Sequence, residues 1–514
     1  MPQVGQGKSN YFMGIIARQS ILTTISSYIG VGLGYINVLF FFPEILNPEE
    51  LGLYRAIHFA ALMLVPIAQL GVPTAIARYH PKYSKNPEAN SQFEGYIFQQ
   101  AGVGFLLFIV LLIAFHTPLF RFFEEKSPQV KEYDVFIVGL VFIMVLNVLM
   151  EGFCRARYFI FLPNLLRDVG LKLGAFLAIG LYQYGLISFP LLVGNLILFN
   201  GLSVLLLAIF LRKKGALRIK MPKELVPKSE RRQLFTFSLF TLAGASAMII
   251  VNYVDSFMIT GFLGLEQVAI YTTSLMMAMV VELPKKGVIQ SNNPVLAEAF
   301  ENGDLQKASE VYKSNANLLL AIGILLYIGI SANLSSLYQI MPKTDIYSQG
   351  YWVFIILGGI KVCEMSLNNV AGLIQFSKYY RFNLFAFIFL GVTTVLTNLW
   401  LIPLYGINGA AIATFITGIL YILIRMGIVY FKLSLFPYTL TTVKILALGG
   451  IAALVGFFLP TLPNVWLDII VRSALITLAF VPPLLWFRLS PALNKLAENV
   501  WHRAKSIIHT QGKS

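Results

Sequence analysis

Cysteine is nearly absent from this chain of 514 residues, which holds only Cys154 and Cys363. Both fall at or inside apolar runs, where a small buried side chain is the expected role and a disulfide framework is not. Charge is scarce as well, at 12% of residues against about 25% in a soluble domain. That excludes a soluble globule. The five histidines (His58, His80, His116, His502 and His509) are scattered and lack metal-ligand spacing. A phosphate-cradling Gly-x-x-x-x-Gly-Lys-Ser/Thr loop is missing, so ATP is not the expected direct energy source. No catalytic residue, metal site or bound cofactor is expected, and the chain does not read as an enzyme. A cleavable signal is missing too. The first apolar run starts after Arg18, is of spanning length and lacks a small-residue cleavage site.

What the chain has instead is apolar sequence in long blocks. It is 57% hydrophobic, with a mean hydropathy of +0.73. Blocks of about 20 residues are enough to span a hydrocarbon core. Fourteen are visible: 21–42, 53–77, 97–115, 135–154, 161–182, 187–211, 234–260, 267–290, 315–338, 349–372, 381–402, 407–431, 440–460 and 466–488. Barrel strands would instead alternate apolar and polar residues over about 10 positions. The expected fold class is an all-α polytopic membrane protein of about fourteen transmembrane helices.

The net charge of +15 is a matter of where the cations lie. With the N-terminus inside, 28 of the 39 Lys and Arg fall on the cytoplasmic side and 4 in outer loops. This is the positive-inside bias of membrane orientation, so no nucleic-acid partner is needed. Both termini are then expected to be cytoplasmic, with membrane lipids as the surrounding partner.

Internal repetition organises the blocks. Glu49-Glu50-Leu51-Gly52-Leu53-Tyr54 recurs as Glu266-Gln267-Val268-Ala269-Ile270-Tyr271, 217 positions later. Pro66 matches Pro284, and Tyr184-Gly185-Leu186 matches Tyr405-Gly406-Ile407, at nearly the same offset. A duplicated bundle follows, with a pathway between its halves. The expected domains are a six-helix bundle at 1–211, a basic cytoplasmic linker at 212–233 and a second six-helix bundle at 234–432. Two extra helices and a basic tail fill 433–514. Pro66 and Pro284 should kink their helices. Gly303 should stop a helix and Asp304 cap the next.

At these residues the chain resembles the polysaccharide-exporter branch of the MOP superfamily, which includes O-antigen flippases, lipid II flippases and MATE exporters. The resemblance is carried by Asn47-Pro48-Glu49-Glu50-Leu51-Gly52-Leu53-Tyr54, Gln69-Leu70-Gly71-Val72-Pro73-Thr74-Ala75, the stretch from Asp255 to Tyr271, and the Asn302-Gly303-Asp304 elbow. The stretch from Asn398 to Thr414 is the most specific. It implies a V-shaped pair of six-helix bundles that moves lipid-linked saccharides across the bacterial inner membrane by alternating access. The implied partners are a lipid-linked oligosaccharide, glycosyltransferases and a polysaccharide polymerase, with the chain itself a monomer.

A saccharide on a polyprenyl diphosphate combines a lipid tail, a polar sugar and a dianionic linker, so its carrier needs fixed cations. Intramembrane charges are costly and are functional candidates by default. Lys172 and Lys361 fall near mid-span, one in each half. They either grip the diphosphate or pair with Asp168 and Glu364, four residues before and three after. Lys361, Glu364, Asn368 and Gln375 form a polar stripe at helical spacing. Arg55, Arg167 and Arg425 are further cations for a central cleft, with snorkelling the rival role for Arg55 and Arg425. Glu151 either pairs with Arg155, Arg167 or Lys172, or binds H⁺ or Na⁺ as a coupling ion. Asp168, Asp255 and Glu364 share that choice between ion coupling and ion pairing. Lys285 and Lys286 fall at the expected cytoplasmic mouth. Three rivals remain: lipid II export, a MATE-like cation-coupled drug antiporter, and a membrane-embedded glycosyltransferase or polymerase. The antiporter would want carboxylates in excess, and the enzyme would want large extramembrane loops.

Overall fold

The computed structural model describes residues 6–219, 227–367, 370–379, 381–495 and 498. Regular structure among them is helical, with no strand. Within hydrocarbon a helix satisfies its backbone donors and acceptors internally, which is why long apolar blocks take this form. Eleven helices are long and apolar enough to cross a membrane, against the fourteen blocks expected. Three places account for the difference. Residues 161–182 form Phe161–Leu165 and Leu171–Gln183, joined by a π-helical turn, Leu166–Gly170. Residues 381–431 run as one 53-residue helix, interrupted at Gly406 (φ 62°, ψ −140°). The block 234–260 lies within Lys228–Phe262, where several side chains are outside the described residues. The chain is an all-α, multi-pass membrane protein.

Two compact units divide it, Met1–Ala269 and Ile270–Ser514. The first contains α1 (Gln6–Ile36), α2 (Pro48–Gln69), α3 (Val72–Tyr83), α4 (Pro87–Glu124), α5 (Asp134–Ala156), α6 (Leu171–Gln183), α7 (Phe189–Lys213) and α8 (Lys228–Phe262). A π-helical turn, Asn37–Phe41, extends α1.

The first copy of the repeated signature is a helix start. Asn47 Oδ1 accepts from the Glu50 amide at 2.8 Å, and Glu50 Oε2 accepts from the Asn47 amide at 3.0 Å. This capping box satisfies two donors that the first turn would leave open. The start of the second copy lies directly against it. A Cβ on Gly52 would stand 1.9 Å from the Leu265 carbonyl oxygen, so only glycine allows the approach. α2 continues through Pro66. The break comes at Leu70 (φ 46°) and Gly71 (φ 69°), where α3 begins.

The described parts of the basic linker are held by α3 and α4. Glu94, fully buried, accepts from the Arg218 amide at 2.8 Å, from Asn90 Nδ2 at 2.8 Å and from the Arg157 guanidinium. At the start of α8, Glu230 pairs with Lys82 at 2.7 Å and accepts from the Tyr83 hydroxyl. Tyr96 donates to the Arg231 carbonyl at 3.0 Å.

A further helix, α9 (Leu265–Met279), starts in the first unit and continues into the second. It ends in a 3-10 turn, Val280–Glu282, and Pro284 precedes the next helix, so the helix expected to kink at this proline is interrupted there. The second unit then holds α10 (Lys285–Glu301), α11 (Leu305–Ala332), α12 (Tyr351–Ser366), α13 (Val370–Phe376), α14 (Arg381–Leu433), α15 (Leu440–Phe458) and α16 (Val465–Trp486). Gly303 (φ 70°) ends α10, and Asp304 Oδ1 caps α11 by accepting from the Lys307 amide at 2.9 Å.

The two last helices are built into this unit's core. Ile324 and Ile328 of α11 pack with Ile445 and Ala452 of α15 and with Ile476 and Phe480 of α16. A buried ion pair locks the hairpin, with Arg472 Nη2 3.0 Å from Asp468 Oδ1. Arg472 also donates to the Gly456 and Leu459 carbonyls at 2.5 and 3.1 Å. Asp468 accepts from Ser336 Oγ at 2.8 Å and from the Leu462 amide at 3.0 Å. Every charge in this pair has partners, which is what makes its burial affordable in a low-dielectric medium.

Candidate functional site

Each unit gathers intramembrane charges around a polar focus. In the first unit Glu151 Oε2 accepts from Arg155 Nη2 at 2.5 Å and from Arg167 Nη1 at 3.3 Å. Arg167 also bonds Asp168 Oδ1 at 3.1 Å and Asn164 Oδ1 at 2.7 Å. The expected pairing of Asp168 with Lys172 is one of charge at a distance, not direct contact. A direct pair needs unbroken α register, and the π-helical turn over Leu166–Gly170 presents Asp168 to α1, where Ser27 Oγ donates to it at 2.7 Å. Lys172 Nζ donates to the Gly30 carbonyl at 2.7 Å.

Beside Arg167 and Lys172 lies a cavity of about 290 Å³, lined by α1, α2, α6 and α7 and the π-helical turns Asn37–Phe41 and Leu166–Gly170. Its other polar lining comes from Asn37, His58, Asn195 and Asn200. Arg55 stands next to it without lining it. The Arg55 side chain is buried, donating to the Ala269 carbonyl at 3.0 Å and the Val38 carbonyl at 3.3 Å. Backbone oxygens of α9 and the π turn accept from it, and it does not line the cavity. Asp255 is buried on α8.

In the second unit Lys361 Nζ lies 3.0 Å from Glu364 Oε2 and 3.6 Å from Glu282 Oε2. Lys285 Nζ reaches the same Glu282 oxygen at 3.7 Å. Lys286 follows Lys285 in α10, and its side chain lies outside the described residues. The expected polar stripe stops after Glu364. α12 ends at Ser366, Asn368 lies outside the described residues, and Gln375 belongs to the separate helix α13. Arg425 Nη1 bonds the Tyr421 hydroxyl at 2.8 Å, with its guanidinium 4.8 Å from that ring's centroid. Its Nε and Nη2 are buried and have no hydrogen-bond partner among the described residues.

The balance is the same in both units. Arg155 and Arg167 pair with Glu151 and Asp168, and the Lys172 charge acts on Asp168; Lys285, Lys361 and Arg425 accompany Glu282 and Glu364. Three cations face two carboxylates in each. Glu282, His58, Asn37, Asn195 and Asn200 were not singled out from sequence. The available signal was a polar side chain within an apolar helix, which alone does not say whether it faces a cavity. No cluster of three or more potential metal ligands occurs among the described residues.

Residues 16–300, more than half of the chain, match the family described as polysaccharide biosynthesis protein. No curated protein matches. Among solved structures, the lipid II flippase MurJ in an inward closed conformation is similar with a TM-score of 0.73 and 16% identity, over 91% of this chain and 99% of that one. An inward-facing multidrug resistance MATE family transporter of the MOP superfamily reaches 0.60 at 16% identity, over 79% and 93%. A Vibrio cholerae MATE transporter reaches 0.53 at 14%, over 80% and 96%. At such identities the likeness is one of fold. The family match establishes that the chain belongs to the polysaccharide biosynthesis protein family, with a fold like that of the lipid II flippase and the MATE family transporters.

Proposed function

We propose that this chain flips a polyprenyl diphosphate-linked oligosaccharide from the cytoplasmic to the outer leaflet of the bacterial inner membrane, for surface polysaccharide assembly. The observation that carries this reading is the charge balance around each polar focus: three cations beside two carboxylates among the described residues. Uncompensated charge inside a membrane is expensive, so a positive excess favours a cargo that brings negative charge. A diphosphate does so, and a cationic drug does the opposite. Arg425 offers two buried donors without a partner among the described residues, in the planar arrangement that suits phosphate oxygens. Glu151, Asp168, Asp255 and Glu364 supply the carboxylates through which H⁺ or Na⁺ would drive alternating access. The chain works as a monomer with both termini cytoplasmic, receiving substrate from glycosyltransferases and passing it to a polymerase.

Lipid II export is the second reading, favoured by the 91% and 99% coverage shared with the lipid II flippase. Proteoliposomes separate the two. A polyprenyl diphosphate oligosaccharide, lipid II or an organic cation is placed inside, and its arrival outside is followed with a lectin, periodate or fluorescence. We expect the oligosaccharide lipid to cross at least about tenfold faster than in protein-free vesicles. Movement of lipid II alone establishes the second reading, and movement of the cation alone overturns both.

A further inference from the structure

We propose that the cavity inside the first unit holds the sugar residue next to the diphosphate, not the diphosphate itself; this rests on the functional reading above. The lining sets three amides, Asn37, Asn195 and Asn200, in a largely apolar wall, and its cations are already engaged. Arg167 is held by Glu151, Asp168 and Asn164 at 3.3, 3.1 and 2.7 Å, and Lys172 Nζ by the Gly30 carbonyl at 2.7 Å. A diphosphate would have to displace these partners. A hydroxyl-bearing group would not.

Two polar atoms at the cavity wait for such a group. Asn195 is only 5% exposed, and its Nδ2 is buried without a hydrogen-bond partner among the described residues; His58 Nδ1 is in the same condition. Buried donors and acceptors left unpaired cost stability, so each needs an explanation. Hydroxyls of a sugar serve both, because each gives and accepts a hydrogen bond. The neighbouring amides are fixed in place. Asn37 Nδ2 donates to the Lys172 carbonyl at 2.9 Å, and Asn200 is held by the Leu196 carbonyl at 2.7 Å and Asn147 at 3.2 Å. Preset polar groups of this kind favour a ligand of one shape. A lipid tail in the same place would leave Asn195 unsatisfied. Size narrows the choice further. A cavity of about 290 Å³ equals the liquid volume of roughly ten waters and stands at the small end of ligand sites. That is room for one sugar ring and not for an oligosaccharide.

The test compares two carriers on the full chain in lipid nanodiscs: a polyprenyl diphosphate bearing one neutral hexose, and the same polyprenyl diphosphate without sugar. Two or more added hydrogen bonds should make the hexose-bearing carrier bind about tenfold tighter. Asn195→Ala should narrow that preference to under about twofold. His58→Gln is the second variant, and thermal melting confirms that each folds. Equal affinity of the wild type for the two carriers overturns the inference alone, as does an unchanged preference in both variants. Binding of neither carrier removes the functional reading, and the inference with it.

Discussion

At the scale of single residues, the decisive difference is between a cation that is shared and one that is not. Lys361 sits between Glu282 and Glu364 at 3.6 and 3.0 Å. Arg425 has a phenol and a ring face as its hydrogen-bond and stacking partners. Removing Lys361 would leave two carboxylates short of a partner inside the membrane, a loss of about 3–5 kcal/mol. Lys361→Met should therefore lower the melting temperature strongly, and Glu364→Gln added to it should recover part of the loss. Arg425→Gln breaks no hydrogen-bonded ion pair. We expect it to melt within about 2 °C of the wild type while transport of the oligosaccharide lipid falls at least about tenfold. Full transport by a folded Arg425→Gln protein would remove Arg425 from substrate binding. Sequence alone offered Lys361 as a diphosphate grip or a partner of Glu364, and Arg425 as a cleft cation or a snorkelling one. It showed the Glu364 spacing, but Glu282 reaches Lys361 only through folding.

Between elements, the contacts of α3 and α4 with the linker carry a dependence on acidity. Burial, reinforced by the Arg157 guanidinium, lowers the His80 imidazole from its usual 6.5 to about 4. Hydrogen bonds from Lys82 and then Tyr83 hold the Glu230 carboxyl below its ordinary value of 4.5. The unfolded chain takes up the His80 proton first, so stability falls as pH drops from 6.5 towards 4. The Glu230 contribution is complete above 4.5 and is lost below it, as pH passes the depressed folded value. Melting of the detergent-solubilised protein should lose about 2 kcal/mol over the His80 window. His80→Gln should flatten that part of the curve, and an unchanged slope would contradict the assignment. Much at this scale was legible beforehand. The Asn302-Gly303-Asp304 elbow and the break at Pro284 follow from backbone chemistry confined to a few residues. The π-helical turns at Asn37–Phe41 and Leu166–Gly170 carry no comparable local signal. They reorient Asn37 and Asp168, so the cavity they shape could not be read from spacing. The break at Leu70–Gly71 instead of Pro66 has the same origin, since neighbouring helices can accommodate a proline.

For the whole molecule, the last two helices are structural members and not an attachment. Thr442 Oγ1 donates to Asn317 Oδ1 at 2.9 Å, Asn333 Nδ2 to Ser473 Oγ at 3.1 Å, and Ser336 Oγ to Asp468 at 2.8 Å. Without residues 440–486 these polar groups of the second unit would face lipid, at about 1–2 kcal/mol each. A chain lacking them should melt at least about 5 °C lower, and an unchanged melting temperature would show that the core closes without them. The Asp468–Arg472 pair also bears on how the chain is made. As α16 leaves the ribosome it carries an acid and a base one turn apart, and two of the arginine's acceptors, the Gly456 and Leu459 carbonyls, belong to the end of α15 and the residue after it. Arg472 therefore has all of these partners only once α15 stands beside α16.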